Sequence, residues 1–557
     1  MQKNTVTKKM VPRNSLTMLL VAALTACGGS SSSSIRNANP PEIKAVMIAA
    51  SARDVVIESP VADNASGAST TAIAATIFIP EHAAGTTYPL ILHSHGWGGD
   101  RVTEADTQAP FDSSNFYSVA IDAEVQRFWQ EGYAVISFDE RGFHDSAGAI
   151  RVMDPEYEIR DAIAILDWAE SNLALSRALD GNPLVGAIGG SYGGGYQLAL
   201  AAFDDRLDAI TPSVTWYDLP DSLAPNGVIK KLWDFGLCFS AIAAGDRTFS
   251  DELNQACQQA GFDPSVRFSE ELDPAVLQFL GAHGMGAYEA RHNDPADTFW
   301  VRPVDTLLTQ GQRDLLFPLN NAMENYRFLS ALGGDVRLIT HQHGHYIGPP
   351  LDVQAPLGAT RCGSIDTLEA KHAWFAEKLK GETGAAAHIP TICIGLDDDN
   401  GAALGHIPVA TETYRVTLAT TAITAGQNNY GGDAPTFIPL ATAISETNLI
   451  LAGIPVANVT VAPSVPTTNV VAFVGIGVLS AGDSNPRLID DQVAPLRNGD
   501  HANKQLIGVG EVLKAGDQVG VLLYGDYDAF NNTSHTAWLT NLYSISGTID
   551  LPIMVAP

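Results

Sequence analysis

Residues 182–203 read NPLVGAIGGSYGGGYQLALAAF, and this stretch decides the fold. The apolar run LVGAIG leads directly into the five residues GGSYG, and an Ala/Leu-rich run follows them. A strand, a sharp turn and a helix in this order raise the central side chain of the turn above the edge of a sheet. Small residues at positions 189, 190 and 193–195 let the backbone turn tightly. The stretch therefore predicts that Ser191 is an accessible nucleophile.

The flanking sequence alternates strands with helices. The apolar strands YPLILHSHG and YAVISFD each end in a polar loop, and a helix with one apolar face begins at Asp154-Pro155. This alternation predicts an α/β-hydrolase fold over residues 41–390, with a mostly parallel sheet and helices on both faces. The alternation of strands and helices is interrupted at about 218–300, where we expect an inserted cap. Residues 400–557 hold short β-runs between turns, which favours an all-β jelly-roll domain.

A serine nucleophile needs a base and an acid, which in this fold follow it along the chain. Asp314 comes after the strand TLLTQG and its turn, and His345 comes after the strand VRLIT. We therefore predict Asp314 as the acid and His345 as the base. His343 and His341 are alternatives for the base because they lie in the same segment. Asp305 and Asp335 precede their strands, which places them at the wrong edge of the sheet.

Two further groups of residues belong to the predicted site. The backbone N–H of Tyr192 and that of Trp97 or its neighbour, in HGWGG, are expected to form the oxyanion hole. Trp216 and Tyr217 follow the strand DAITPSV. They either line the acyl pocket or pack the cap, and the sequence favours neither.

Five histidines raise the question of a metal centre. His93 and His95 are spaced as HxH, and three more lie at 341, 343 and 345. The metallo-β-lactamase pattern HxHxDH would need Asp at 97 and His at 98, where this chain has Trp97 and Gly98. We expect neither a metal nor another cofactor.

The chain resembles the X-Pro dipeptidyl-peptidase and cocaine-esterase-like family of α/β hydrolases. The resemblance runs through HGWGG, DERGFHDSAG, the segment from GGSYG to TWYDL, the Asp314 loop, the GH at 344–345 and EVLKAGDQVGVLLY at 511–524. It implies a serine acyl hydrolase with a helical cap and a C-terminal jelly roll beside the active site. Two positions depart from the family: HGWG replaces a segment that supplies a Tyr hydroxyl to the oxyanion hole in cocaine esterase, and His144 replaces a usual glycine.

The residues and the resemblance together favour an enzyme that cleaves acyl ester or amide bonds through an acyl-enzyme. An X-prolyl dipeptidyl aminopeptidase is the alternative, and it would need a site for a free amine. An inactive hydrolase with a carbohydrate-binding β domain is a third. The formal net charge of −30 over 557 residues argues against nucleic acid as a partner. The acyl group, the leaving group and the oligomeric state do not follow from the sequence.

The N-terminus has the pattern of a bacterial lipoprotein leader. A basic segment precedes the short apolar run LTMLLVAAL, which ends in Leu-Thr-Ala-Cys27. We expect residues 1–26 to be a signal peptide, Cys27 to carry lipid, and the Gly/Ser-rich residues 27–40 to be a flexible tether. The expected location is the outer membrane or cell surface, with a periplasmic or secreted protein as the alternative.

Four cysteines remain once Cys27 is set aside, an even number that suits disulfides in an oxidising compartment. Pairing of nearest neighbours joins Cys238 to Cys257 and Cys362 to Cys393. Four cysteines permit three pairings, so the connectivity stays open at this stage.

Lipid on Cys27 should attach the protein to a membrane, because a diacylated and N-acylated cysteine supplies the several chains that stable anchoring needs. Cells expressing the wild type and Cys27→Ser are to be fractionated, and only the wild type is expected in membranes and in the detergent phase. Both forms in the soluble fraction would contradict the lipoprotein interpretation.

Overall fold

The computed structural model describes most of the chain between residues 45 and 557. The expected signal peptide, Cys27 and the tether lie outside the described residues. Met47–Pro557 form one compact unit, and Met1–Val46 are assigned to a separate one. The described residues are 45–62, 69–108, 116–243, 248–259, 272–347, 353–354, 360–397, 399–445, 448–466, 469–530 and 542–557.

A ten-stranded sheet positions the functional residues, in the order β16-β15-β10-β9-β8-β7-β5-β6-β3-β2. From β15 to β6 all neighbours pair in parallel, while β16, β3 and β2 each pair antiparallel with the strand beside them. The strands are β2 (Ser51–Ser59), β3 (Thr71–Ile79), β5 (Leu90–Ser94), β6 (Ala134–Phe138), β7 (Val185–Gly190), β8 (Leu207–Ser213), β9 (Asp305–Arg313), β10 (Val336–Gly344), β15 (Ile392–Gly395) and β16 (Gly401–Leu404).

Short strands form three further pairs in this part of the chain. They are β1 (Met47–Ile48) with β4 (His82–Ala83), β11 (Tyr346–Ile347) with β12 (Val353–Gln354), and β13 (Arg361–Cys362) with β14 (Ile365–Asp366).

Helices cover both faces of the sheet because its central strands are apolar on both sides. Ile91, Val135 and Ile188 belong to the core on one face, with residues of α2 and α11. Leu92, Ile136 and their neighbours face α3, α4 and α10 on the other. The helices are α1 (Glu104–Thr107), α2 (Phe116–Gln130), α3 (Glu158–Asn172), α4 (Tyr192–Phe203), α5 (Leu219–Leu223), α6 (Lys231–Ala243), α7 (Asp251–Cys257), α8 (Pro274–Gly281), α9 (Met285–Asn293), α10 (Leu319–Leu332) and α11 (Thr367–Lys380).

Helices α5–α9 lie between β8 and β9, in the segment where the sequence departs from regular alternation. A 3-10 turn, Pro225–Gly227, follows α5. Cys238 on α6 is bonded to Cys257 at the end of α7. The α/β-hydrolase fold predicted from the sequence is confirmed, with helices on both faces and a helical segment inserted before β9.

The C-terminal residues form a region of β-strands, also as predicted. Its sheets have the orders β17-β26-β20-β23, β18-β25-β21-β22 and β24-β19-β27. Apolar side chains of these sheets form a core of their own. The strands are β17 (Thr411–Ile423), β18 (Thr436–Pro439), β19 (Leu449–Gly453), β20 (Val456–Pro463), β21 (Val471–Leu479), β22 (Arg487–Arg497), β23 (Gly499–Gln505), β24 (Val509–Leu513), β25 (Gln518–Tyr524), β26 (Tyr543–Leu551) and β27 (Ile553–Val555).

Both disulfides join nearest neighbours in the sequence, one of the three pairings that the sequence leaves open. Cys362 in β13 is bonded to Cys393 in β15, next to the edge strand of the large sheet. Among the described residues, none of the helices combines the length and the apolar character needed to cross a membrane.

The Cys362–Cys393 bond should stabilise the fold, because it joins residues 31 apart and both are buried. In the chain-entropy model such a loop contributes about 3–4 kcal/mol. The variant Cys362→Ala/Cys393→Ala should lose roughly this free energy of unfolding in guanidinium chloride titrations, and the wild type with reductant should lose at least as much. An unchanged unfolding midpoint would contradict the prediction.

Candidate active site

Ser191 lies in a strained turn between β7 and α4. Its backbone has φ 57° and ψ −115°, outside the regions that non-glycine residues normally adopt. Such a conformation costs about 1–3 kcal/mol and persists only when its surroundings enforce it. The Ser191 N–H donates to the carbonyl oxygen of Ser213, at the end of β8, over 2.9 Å. The strain holds the hydroxyl clear of both the strand and the helix.

Glycines after the serine let α4 approach the sheet. A Cβ at Gly193 would overlap the carbonyl oxygen of Ser94, and one at Gly195 would overlap the Trp216 ring. Any larger residue at either position would push the helix away from the strands. The first turn of α4 is therefore fixed relative to β5, the strand that ends in the HGWGG loop.

Three predicted residues are brought together at the carboxyl edge of the sheet. Ser191 follows β7, Asp314 follows β9, and His345 follows β10. Ser191 Oγ lies 3.0 Å from His345 Nε2, and His345 Nδ1 lies 2.9 Å from Asp314 Oδ2. A carboxylate can only accept, so Nδ1 carries the hydrogen and Nε2 accepts from the serine hydroxyl. This arrangement can remove a proton from Ser191 and return it to a leaving group.

Asp314 is fully buried and its side chain is held by several donors. Oδ1 accepts from the N–H groups of Leu316 and Phe317, and Oδ2 accepts from Gln310 Nε2 as well as from His345. A carboxylate with this many donors keeps a fixed orientation.

The alternative acids and bases lie elsewhere. Asp305 opens β9 at the opposite end of the strand and pairs with Lys378. His341 and His343 lie within β10, and burial together with His343 lowers the pKa of His341 to about 3. The hydrogen bond of the Ser191 hydroxyl joins it to His345.

Two aromatic rings hold the His345 ring in place. Trp233 on α6 meets it edge to face at 5.6 Å between centroids, and Phe317 does so at 5.3 Å. His345 is 6% exposed, so its ring is almost completely shielded from solvent.

The HGWGG loop runs beside Ser191, as expected for an oxyanion hole. A Cβ at Gly96 would lie 4.0 Å from Ser191 Cβ, and Tyr192 begins α4, where backbone N–H groups have no partner within the helix. The Trp97 ring packs on Tyr192 at 5.2 Å, and its Nε1 donates to the Leu237 carbonyl oxygen. Trp97 thus joins the loop to the inserted helices.

The DERGFHDSAG loop supports the HGWGG loop. The Glu140 N–H donates to His95 Nε2, and the Ser94 hydroxyl donates to the Glu140 carboxyl over 2.6 Å. Arg101, just after HGWGG, donates through its backbone and its guanidinium to Asp139. His144, which replaces a family glycine, keeps a left-handed backbone with φ 42°. The conformation expected of a glycine is thus retained there.

A mostly apolar cavity of about 80 Å³ opens beside Ser191. Trp216 lines it and is fixed by a hydrogen bond from its Nε1 to the His283 carbonyl oxygen. Tyr217 does not line it, since its hydroxyl donates to Glu289 and its ring faces a second cavity. The remaining lining consists of Trp97, Val152, Tyr192, Leu219, Leu223, Asp234, Leu237, Cys238, Leu253, Ala256, Cys257, Leu272, Leu280, Leu316 and Phe317.

The second cavity is larger, about 300 Å³, but includes neither Ser191 nor His345. Its wall combines the inserted segment, the region after Asp314 and the C-terminal strands. Four of its lining residues are acidic: Asp218, Asp221, Glu324 and Asp491. Of these two cavities the smaller one contains Ser191, which makes it the candidate substrate pocket.

The C-terminal region contacts the loop of Asp314 directly. Gln492 donates from Nε2 to the carbonyl oxygens of Gln312 and Asp314, at 2.8 and 3.0 Å. Asp491 accepts from the Arg313 guanidinium. Asp314 is therefore positioned partly by a residue 178 positions later.

The histidines that suggested a metal are engaged in hydrogen bonds. His93 Nδ1 pairs with Ser137, and His95 pairs with the Gly96 carbonyl oxygen and the Glu140 N–H. Asp139, His144 and Asp145 do cluster, but Arg101 bonds to both carboxylates, and its single positive charge offsets part of their negative charge.

Sequence reasoning missed three neighbouring residues. Trp233 packs on His345, Asp234 lines the small cavity, and Lys230 lines the larger one. The segment KKLWDFGLC has a helical apolar face that could have indicated a helix turned towards the site.

Solved structures of several hydrolases have a similar fold. A CocE/NonD family hydrolase from Staphylococcus aureus has a TM-score of 0.59 at 13% identity, covering 92% of this chain and 99% of that one. An α-amino acid ester hydrolase has a TM-score of 0.58 at 13% identity, covering 90% and 97%. An aminopeptidase from a Thaumarchaeota archaeon has a TM-score of 0.56 at 13% identity, covering 90% and 94%.

Curated relatives match only a part of the chain. An uncharacterized 31.7 kDa protein of Escherichia coli is 30% identical over 146 residues, which are 26% of this chain and 43% of that protein. The quorum-quenching protein AidA of Acinetobacter baumannii is 34% identical over 142 residues, 25% of this chain and 40% of that protein. The chain thus spans less than half the length of these relatives.

The fold and the site define an α/β hydrolase. Residues 67–347 match the X-Pro dipeptidyl-peptidase family, S15, and the chain belongs to that family. The family resemblance inferred from the motifs is confirmed.

The buried Glu140 should make stability depend on pH. Burial raises its pKa to about 8, so the folded protein keeps this proton over a range in which the unfolded chain has lost it. Stability should therefore fall as pH rises from about 4.5 to about 8, by up to about 1.4 kcal/mol per pH unit. Urea titrations of Glu140→Gln at pH 5, 6.5 and 8 should show a shallower dependence. The exposed Glu81→Gln serves as the control, and equal slopes for Glu140→Gln and wild type would contradict this origin.

Proposed function

We propose that this protein is a serine hydrolase that cleaves acyl ester or amide bonds through an acyl-enzyme. The observation that carries the proposal is the pair of hydrogen bonds that joins Ser191, His345 and Asp314. In this mechanism Ser191 attacks the substrate carbonyl while His345 takes its proton. His345 then protonates the leaving group and activates the water that releases the acyl group.

Two donors would stabilise the oxyanion. The N–H of Tyr192 lies at the start of α4, where the helix dipole also favours negative charge. The second donor is the Trp97 N–H or its neighbour in the loop that passes Ser191. The acyl group would occupy the cavity lined by Trp216 and Trp97.

Esters of short acyl groups are the substrates that the cavity supports best, because it is small and mostly apolar. Membership of the S15 family makes an Xaa-Pro peptide the alternative substrate. Rates on phenyl esters of short acids and on an Xaa-Pro anilide, measured in parallel, separate the two. A faster reaction with the anilide would overturn the ester assignment and leave the serine mechanism in place.

We also propose that the enzyme acts outside the cytoplasm, anchored through Cys27. The two disulfides support an oxidising compartment.

Replacement of the nucleophile should abolish covalent labelling. A fluorophosphonate probe is expected to label the wild type and not Ser191→Ala, because only an activated serine attacks it. His345→Ala should lower kcat by about 10⁴-fold or more, as removal of the base does in serine hydrolases. His343→Ala, two residues away in β10, is the matched control and should cost far less. Equal labelling of wild type and Ser191→Ala, or the larger loss with His343→Ala, would refute these assignments.

A further inference from the structure

One face of helix α6 meets several parts of the site. Residues 230, 233, 234, 237 and 238 follow the spacing of a single helical face. Trp233 packs on His345, and the Leu237 carbonyl oxygen accepts from Trp97 Nε1. Cys238 is tied to α7 by its disulfide. A residue on this face therefore keeps a fixed position relative to the nucleophile.

Asp234 is the acidic residue that this face contributes to the small cavity. It lines the cavity that contains Ser191, is 7% exposed, and has leucines 219, 223 and 237 as fellow lining residues. Its Oδ1 has no hydrogen-bond partner within the described part of the chain. A buried oxygen without a partner costs about 1–3 kcal/mol, and a group on a bound ligand would remove that cost.

The charge around Asp234 disfavours a cationic ligand. Burial raises the pKa of its carboxyl well above the ordinary range, so this carboxyl takes up a proton more readily than one in water, although Lys230 opposes this. Lys230, one helical turn earlier, is buried and donates from Nζ to the carbonyl oxygens of Leu315 and Leu316. Burial lowers the pKa of Lys230 to about 8, with Asp314, Asp221 and Asp234 acting in the opposite direction. At neutral pH a second cation would meet this positive charge.

A carboxylic acid in this setting can both donate and accept a hydrogen bond. A neutral hydroxyl satisfies both capacities without adding charge to an apolar pocket. An ammonium would place a second positive charge near Lys230, and the two charges would repel each other.

We propose that Asp234 is a specificity-determining residue that recognises a neutral hydroxyl on the acyl group of the substrate. This inference rests on the proposed function and names the substrate class of the same site: short hydroxyacyl esters. Asp234 binds the acyl group, and the bond-breaking steps remain those of Ser191 and His345.

The test compares matched phenyl esters: butanoate, 2- and 3-hydroxybutanoate, and 2- and 3-aminobutanoate. At pH 7 the wild type should show a kcat/KM at least tenfold higher for one hydroxy ester than for butanoate, and no such gain for either amino ester. Asp234→Leu should reverse the preference, because its side chain cannot bond to the hydroxyl. Asp234→Asn should retain most of the preference, because a neutral amide also donates and accepts.

Asp221→Asn is the matched control, since this residue lines the larger cavity and not the pocket of Ser191. It should leave the ratio of hydroxy ester to butanoate unchanged. If Asp234→Leu does not fold, the inference is tested by the kcat/KM ratios of the wild type and of Asp234→Asn for the same esters.

Three results would overturn the inference: no preference for a hydroxy ester in the wild type, a preference for an amino ester that Asp234→Asn abolishes, or an unchanged ratio in Asp234→Leu. Hydrolysis of butanoate with labelling of Ser191 would in those cases leave the proposed function intact. Absence of both labelling and ester turnover would overturn the proposed function and this inference together.

Discussion

The site depends on the turn at Ser191, where a residue with a side chain is held at positive φ. The Ser191 N–H bond to Ser213 and the close approach of α4 to β5 keep the chain in this conformation. The same approach places Tyr192 and the HGWGG loop next to the hydroxyl. Relaxation of this one turn would separate the nucleophile from His345 and from the expected oxyanion donors at once.

The surroundings of His345 come from three separate parts of the chain. Asp314 orients its Nδ1, Trp233 and Phe317 confine its ring, and Gln492 holds the backbone of the acid loop. Each contact is modest, but together they leave the imidazole little freedom of rotation. Pre-organisation of this kind lowers the cost of reorganising the site during proton transfer.

The sequence could predict what depends on local pattern. Apolar strands followed by polar loops located Ser191, Asp314 and His345, because parallel strands bring their carboxyl ends to one edge of a sheet. It could not decide between the two roles of Trp216 and Tyr217, since adjacent residues turn to different cavities only once α8–α10 are packed. Asp234 escaped notice for a similar reason. Asp234 lines the cavity together with Ser191, about 40 positions earlier, and Leu316, about 80 positions later. No short sequence pattern predicts contact between residues this far apart.

The bond from Gln492 to the loop of Asp314 bears on how far the molecule is modular. Each half has an apolar core, which suggests that either could be exchanged or removed, but Ile450 and Ala452 of β19 belong to the core of the large sheet. Yet the acid loop takes two of its hydrogen bonds from β22, and Arg313 pairs with Asp491 on the same strand. A shortened enzyme ending after the large sheet would lack these supports. Chimeras that combine this hydrolase half with a foreign β region therefore need to preserve residues 490–492 of β22.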